Sequence, residues 1–309
     1  MILHQTTRRQ FWPGPILPAL ALVALLAIPH AAAHGQPAKI DRLRIGTTGT
    51  LTGNADNPRE KSAQETLKQF IKDETGLDND IHRLKDWREL ADKMARGELH
   101  LAVCQGYEFA WAQEKYAELK PLALAINVHR YPVASVIARR DSSAKDFAGL
   151  QGLSLSQPVT SHGYLRLFVE RQSEARGKKA DTFFSKITTP DNVEDALDDV
   201  VDGIVQATVV DRAALEAYKR RKPGRFDQLK EVAHSQPFPP AVVAFYGSVL
   251  DEAMLRRFKE RLLAAASKEK GETLLTLSRL TGFVNVPEDF GKVLAETRKA
   301  YPPPNPKKE

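Results

Sequence analysis

The chain has 309 residues, 42% of them hydrophobic, and a formal net charge of +6. This length is enough for two domains that each bury a core. The single cysteine, Cys104, excludes an internal disulfide. Without Arg8 and Arg9, and with no acid before residue 34, the remaining chain carries +4. Its charges are interspersed apart from Lys219–Lys222 and Lys307–Lys308, so nothing in them requires a nucleic-acid partner, and the mild positive charge attracts small anions only weakly.

The first 33 residues have the pattern of a targeting segment. Arg8 and Arg9 precede an apolar run over residues 16–28, and three alanines end at Ala33. A charged start, a short apolar core and small residues are typical of a secretory signal peptide. The adjacent arginines also fit a twin-arginine signal, so Sec and Tat export both stay open. We predict a signal peptide over residues 1–33 and a periplasmic or otherwise extracytoplasmic protein, with an uncleaved anchor as the alternative.

Residues 40–128 predict strands that alternate with helices. Gly76 and Gly97 are expected to end two of the helices. Alternation of this kind favours a mostly parallel sheet that is covered by helices on both faces. The apolar patterns place strands near residues 43–45, 81–84, 99–103 and 119–128, and helices around residues 63–71, 87–94 and 109–116.

A loop rich in glycine and hydroxyl residues follows the first predicted strand. It runs from Gly46 to Asn54 and contains Thr50. Such a loop presents backbone and hydroxyl donors to a ligand, and a flexible strand–helix connection is the alternative. No Gly-Lys-Ser/Thr follows, so this is not a phosphate-binding loop of the NTPase kind.

The segment from Leu150 to Gln172 holds the main candidate site. A short alternating strand ends at Pro158, and residues 165–169 follow with helical spacing. A helix start exposes unpaired N–H groups and the positive end of the helix dipole, so the segment fits an oxyanion site. A simple cap on the helix is the alternative. The residues between strand and helix are Thr160, Ser161, His162 and Gly163.

Two β-rich apolar runs, residues 131–139 and 240–245, bracket this segment. A chain that leaves one lobe, builds a second and returns contains two such crossing strands, and we expect them to form a hinge. The last part of the chain is expected to be helical, and the segment Tyr301 to Pro304 is expected to end the ordered chain before a disordered tail. The predicted first lobe comprises residues 34–128 and 242–309, and the second lobe comprises residues 129–241.

The order of these features resembles a known family over residues 42–290. The chain is similar to the phosphate-, phosphite- and phosphonate-binding proteins of ABC importers, the PhnD-like branch of the type II periplasmic-binding fold. The resemblance implies a two-lobed α/β protein in which each lobe is a mostly parallel sheet flanked by helices. The motifs that carry it are Leu43 to Thr47, Gly97 to Val103, Leu150 to Leu153, Gln157 to Leu165 and Ser235 to Pro240.

The family usually has Asp-Pro, a spacer and Ser-Thr-Ser-Gly at the start of a helix, where hydroxyls and amides hold the phosphonate oxygens. By position, Thr160 and Ser161 match two of the hydroxyl residues, and Gly163 matches the glycine. His162 replaces the third hydroxyl and Gln157 replaces the acid, so the identity of the oxyanion stays open. His162 either contacts the ligand through a ring nitrogen or only fills space.

The resemblance implies four further site residues. Thr50 falls near a family threonine that contacts the ligand, and Tyr107 falls where the family has a Tyr-Gly loop. Asp191 and Asp211 fall near acids that hold the ammonium group of aminophosphonates in related proteins. Both aspartates precede predicted helices, so helix capping is the alternative role for each.

The implied function is binding and not catalysis. Two lobes close on phosphate, phosphite or phosphonate, and the closed form, expected to be a monomer, docks on an ABC permease. Neutral donors and helix ends hold the ligand, without a metal or another cofactor, and no nucleic acid is involved. A ligand sensor for a signalling receptor is one alternative. A hydrolase using Ser161 and His162 is another, although Gly-x-Ser-x-Gly is absent and adjacent residues rarely share the needed hydrogen bond.

Overall fold

A computed structural model describes residues 40–49, 58–247 and 249–304. The predicted signal peptide lies outside these residues. The strands of the described part are β1 (Arg42–Thr47), β2 (Asp78–Arg83), β3 (Leu101–Cys104), β4 (Leu119–Ile126), β5 (Ala134–Arg139), β6 (Ser154–Ser156), β7 (Lys186–Thr188), β8 (Ala207–Asp211), β9 (Leu229–His234), β10 (Ala241–Tyr246) and β11 (Gly282–Val284).

The helices follow the same alternation with the strands that the sequence predicts. Two 3₁₀ segments, Ala148–Leu150 and Ala265–Ser267, accompany them. The α-helices of the described part are α1 (Pro58–Thr75), α2 (Trp87–Ala95), α3 (Gly106–Lys115), α4 (Gly163–Glu174), α5 (Ala180–Phe183), α6 (Val193–Val201), α7 (Arg212–Arg221), α8 (Pro223–Phe226), α9 (Glu252–Leu263), α10 (Glu269–Leu277) and α11 (Phe290–Ala300).

The described strands form two sheets, in the orders β11-β4-β10-β3-β1-β2 and β7-β6-β8-β5-β9. β1 pairs in parallel with β2 and β3, and β6 pairs in parallel with β7 and β8. The pairs made by β5, β10 and β11 are antiparallel. Four strands of each sheet therefore run in one direction, and the predicted α/β class with mostly parallel sheets is confirmed.

The strands that follow the two chain crossings, β5 and β10, run against their neighbours. The chain passes from the first sheet to the second after Ile126 and returns after His234. Both strands lie inside their sheets and consist mainly of buried alanine and valine, which suits strands that are covered on both faces. Below, the first lobe means the first sheet with its helices, and the second lobe means the second sheet with its helices.

Helices cover both faces of each sheet. The first sheet packs on α1, α9 and α10 on one face and on α2, α3 and α11 on the other. The second sheet packs on α4 and α5, and also on α6 and α7. Phe70, Phe109 and Phe168 are at most 1% exposed, and burial of such a side chain contributes roughly 1.5–3 kcal/mol. No helix among the described residues is long and apolar enough to cross a membrane.

The C-terminal segment Tyr301–Pro304 packs against both lobes, and the tail that is predicted to be disordered lies outside the described residues. Tyr301 is 5% exposed, and its carbonyl accepts a 2.7 Å hydrogen bond from Trp111 Nε1 of α3. The carbonyls at positions 302 and 304 accept hydrogen bonds from Arg171 of α4 and Arg88 of α2. Prolines leave their carbonyls available while offering no N–H, which suits a segment held by donors from its surroundings.

Candidate functional site

The candidate site lies at the start of α4, between the lobes. A turn after Pro158, closed by the Ser161 N–H on the Pro158 carbonyl at 2.9 Å, leads into the helix. His162 is the N-cap, and its side chain makes no capping hydrogen bond. The hydroxyl oxygens of Thr160 and Ser161 are buried and have no hydrogen-bond partner within the described part of the chain. Neither hydroxyl caps the helix, so both remain able to bind another group.

His162 is held against a tyrosine of its own helix. Its ring lies 5.8 Å from the Tyr164 ring, with the two planes 12° apart. Desolvation lowers the pKa of His162; nearby Asp211 acts to raise it, and Arg279 lowers it further. The imidazole is therefore neutral at pH 7, with one N–H donor and one acceptor nitrogen.

Gly163 is where α3 of the first lobe meets α4 of the second. A Cβ atom on Gly163 would lie 2.5 Å from the Tyr107 hydroxyl oxygen. The Tyr107 ring packs edge-on against Trp111 at 4.9 Å, and burial raises the pKa of Tyr107, so its hydroxyl stays protonated. In the family pattern, Gly163 matches the glycine at the helix start. In the structure, the absence of a side chain at Gly163 makes room for the Tyr107 hydroxyl.

The start of α3 is occupied by a carboxylate of its own chain. Glu108 accepts hydrogen bonds from the Thr48 hydroxyl and, at 3.2 Å, from the Gln105 N–H. Burial raises the pKa of Glu108 to about 7, although these two hydrogen bonds act to lower it. Glu108 thus makes both of these hydrogen bonds within the first lobe.

Asp211 ends β8 and caps α7. Its Oδ1 accepts from the N–H groups of Ala213 and Ala214 at 2.7 and 3.4 Å, and its Oδ2 accepts from the Tyr164 hydroxyl. The residue is 9% exposed, and it lines a cavity of about 50 Å³ together with His162. Because both oxygens are hydrogen-bonded to the protein, the carboxylate needs no ligand ammonium to offset its burial.

Asp191 and Thr50 are the remaining expected site residues. Asp191 is exposed. The N-cap of α6 is Asn192, which accepts the Asp195 N–H at 2.9 Å, so the cap lies one residue later than the sequence indicated. Thr50 lies outside the described residues.

Arg279 is a residue of this region that the sequence analysis missed. It follows α10, has a φ of 56°, and its Nη1 lies 3.4 Å from the Thr160 carbonyl oxygen, to which it donates. Desolvation lowers the pKa of Arg279, yet a guanidinium stays charged at neutral pH. The first lobe thus places a cation beside the start of α4. The two residues are 119 positions apart, and no local pattern marks the arginine.

A second and larger cavity, of about 120 Å³, extends from His162 into the first lobe. Thr48, Gly49 and Gln105 contribute polar groups to its lining. Ser278 also lines it; this residue is 6% exposed, and its hydroxyl has no partner in the described ranges. The rest of the described lining is mainly apolar and includes Ile45, Leu101, Val243, Phe258, Leu274 and Phe283.

Comparisons with known proteins agree with the fold. The family model for the periplasmic substrate-binding protein of phosphonate ABC transporters matches residues 54–289. Comparison with curated proteins gave no match. Among solved structures, the chain is similar to PhnD1 from Prochlorococcus marinus in complex with methylphosphonate. The TM-score is 0.57 at 12% identity, over 84% of this chain and 97% of that chain.

Two further solved structures share the fold. XAC2383 from Xanthomonas citri, bound to chloride ion, gives a TM-score of 0.59 at 17% identity, over 85% of this chain and 98% of that chain. A binding protein component of an ABC phosphonate transporter from Pseudomonas aeruginosa gives a TM-score of 0.54 at 14% identity, over 84% of this chain and 87% of that chain.

At these identities the structural likeness shows the fold, and the family rests on the model that matches most of the chain. The family and the structural neighbours are binding proteins of transporters and not enzymes, which removes the hydrolase alternative for Ser161 and His162. The family also implies an extracytoplasmic location. The chain belongs to the periplasmic substrate-binding proteins of the phosphonate ABC transporter family.

Proposed function

We propose that the protein captures a small phosphorus oxyanion (phosphate, phosphite or a phosphonate) between its lobes and delivers it to an ABC importer. The observation that carries the proposal is the start of α4, where the Thr160 and Ser161 hydroxyls are buried without described partners. A buried polar group without a partner costs roughly 1–3 kcal/mol. An oxyanion at the helix start would accept hydrogen bonds from both hydroxyls and from the first-turn N–H groups.

The charges around this helix start favour an anion. The helix dipole places its positive end here, and the Arg279 guanidinium contacts the Thr160 carbonyl from the opposite lobe. The lowered pKa of His162 makes the imidazole a neutral donor. Asp211 is hydrogen-bonded to the protein through both oxygens, which favours phosphate, phosphite or a simple phosphonate over an aminophosphonate.

The contacts between the lobes support a closing movement. Arg279 reaches Thr160, and the Tyr107 hydroxyl fills the space beside Gly163. A hinge at the crossing strands would separate these pairs and open the site, and the closed form would dock on the permease as a monomer. In this proposal the signal peptide covers residues 1–33, and residues 129–241 move against residues 34–128 and 242–309.

Isothermal titration calorimetry with phosphate, phosphite, methylphosphonate, 2-aminoethylphosphonate and sulfate tests the proposal. At least one phosphorus oxyanion without an amine is expected to bind. Ser161→Ala should weaken that binding about ten- to a hundredfold, because a hydrogen bond to a charged group contributes roughly 1.5–3 kcal/mol. Ser267→Ala, which removes an exposed hydroxyl, is the matched control. Unchanged affinity in Ser161→Ala, or no binding by any phosphorus oxyanion, would refute the proposal.

A further inference from the structure

We infer that the ligand carries an apolar tail and that the cavity inside the first lobe binds this tail. The inference rests on the proposed function for the oxyanion head and adds a second subsite to it. The cavity of about 120 Å³ is lined by His162, the N-cap of α4, and runs between the first sheet and the helices α1, α9 and α10. Head and tail sites are therefore adjacent.

The wall of the cavity is apolar and belongs to the packed core. Ile45, Leu101 and Val243 from three neighbouring strands are each at most 4% exposed. Phe258 of α9 and Leu274 of α10 form the opposite side. Protein interiors hold few voids larger than a water molecule, so a space of this size in the core requires an explanation. In another protein, an apolar cavity of about 150 Å³ stays dry and binds benzene.

Two of the polar lining residues mark the end of the cavity that meets the cleft. His162 and Gln105 line both this cavity and the smaller one beside Asp211, which lies between the lobes. None of the described lining residues of the larger cavity carries a charge at pH 7. An inorganic ion would leave this apolar space unused, and a ligand ammonium would find no acid in it. A ligand with a charged head in the cleft and a hydrocarbon tail in the cavity would match both the polar end of the cavity and its apolar wall.

The implied ligand class is a phosphorus oxyanion with an unbranched apolar substituent. By comparison with the benzene-binding cavity, the space takes a tail of about four to six carbons. Each methylene group that moves from water into such a cavity increases affinity about fourfold. Affinity should therefore rise with chain length until the cavity is full.

Calorimetric titration of the unmodified protein with methyl-, propyl- and pentylphosphonate tests the inference. Pentylphosphonate is expected to bind at least tenfold more tightly than methylphosphonate, with a more negative heat-capacity change from burial of apolar surface. Equal affinities along the series, or a fall with length, would overturn the tail site and leave the head site intact. If no member of the series and no phosphate or phosphite binds, the proposed function itself is wrong.

A variant that fills the cavity tests whether the ligand tail binds there. Val243→Phe directs a ring into the cavity, and pentylphosphonate should then bind no more tightly than methylphosphonate. Ile204→Phe makes the same kind of change at a residue that is 67% exposed, and it should keep the full gain with chain length. A folded Val243→Phe protein that keeps the gain would overturn the inference. If Val243→Phe does not fold, the phosphonate titrations of the unmodified protein alone test the inference.

Discussion

The two helix starts that meet at the cleft differ in the polar side chains beside them. Both α3 and α4 present unpaired N–H groups in their first turns. At α3, Glu108 accepts from the Gln105 N–H and from the Thr48 hydroxyl. At α4, the His162 side chain makes no capping bond, and two neighbouring hydroxyls are buried without described partners. The acidic side chain at the start of α3 is hydrogen-bonded within its own lobe, whereas the two hydroxyls at the start of α4 remain able to bind an anion.

A third helix start, within the second lobe, sharpens this contrast. Asp211 caps α7 with one oxygen and accepts the Tyr164 hydroxyl with the other. At α7, unlike at α4, a side chain caps the first-turn N–H groups, although both helices belong to the second lobe. The absence of a capping side chain at α4 therefore depends on the residues of the loop before this helix and is not a general feature of the second lobe.

The largest effect is expected where the two helix starts touch. Gly163→Ala would place a Cβ atom 2.5 Å from the Tyr107 hydroxyl, which keeps the lobes apart or distorts the site. Overpacking of this kind costs about 1–3 kcal/mol, so anion affinity should fall about five- to 150-fold. Calorimetric titration with the ligand found for the unmodified protein measures this loss.

The double variant Gly163→Ala with Tyr107→Phe is the control for this clash. Loss of the hydroxyl leaves the nearest ring carbon 3.6 Å from the new Cβ atom, an ordinary contact. Most of the lost affinity should therefore return. If the double variant binds as weakly as Gly163→Ala alone, the glycine is needed for another reason, such as close approach of the ligand.

A smaller effect is expected at the start of α3, and it concerns stability. Because the pKa of Glu108 is raised from 4.5 to about 7, the folded state holds this proton more tightly than the unfolded state does. The resulting stabilisation is present below pH 4.5 and is lost as the pH rises to 7. Its size is about 1–3 kcal/mol. Glu108→Gln should remove this part of the pH dependence in urea unfolding at pH 5 and pH 8. Equal pH dependence in both proteins would contradict it.

The smallest effect is expected at the start of α7. Asparagine caps helices about as well as aspartate, and an amide at position 211 can still exchange a hydrogen bond with Tyr164. Asp211→Asn should therefore change the affinity for phosphate and methylphosphonate by less than about threefold. A large loss confined to 2-aminoethylphosphonate in parallel titrations would instead show that this carboxylate holds a ligand amine.

The sequence predicted the architecture well because its signals are local. Alternating apolar segments and glycines mark the strands and helix ends, and the runs that became β5 and β10 correctly indicated two crossings. The loop before α4 was also correctly recognised as a helix start. Whether Thr160 and Ser161 cap the helix or stay free depends on three-dimensional neighbours, and only the structure decides this.

The features that sequence reasoning missed all depend on contacts between distant segments. Arg279 reaches Thr160 across 119 positions. The space beside Gly163 is set by Tyr107 of the other lobe. The burial of Tyr301 follows from its packing against α3 and Phe238. None of these pairings leaves a periodic or compositional signal in the sequence.

The tryptophan pair at the junction of the lobes has a practical consequence. Trp87 and Trp111 lie with ring centroids 6.0 Å apart, and Trp111 is hydrogen-bonded to the C-terminal segment. The chain has three tryptophans, and the third, Trp12, belongs to the predicted signal peptide. Once that segment is removed, the tryptophan fluorescence of the protein, excited at a wavelength where tyrosine does not absorb, would come from this pair alone. Its emission would act as a built-in optical reporter of movement between the lobes, without any attached dye.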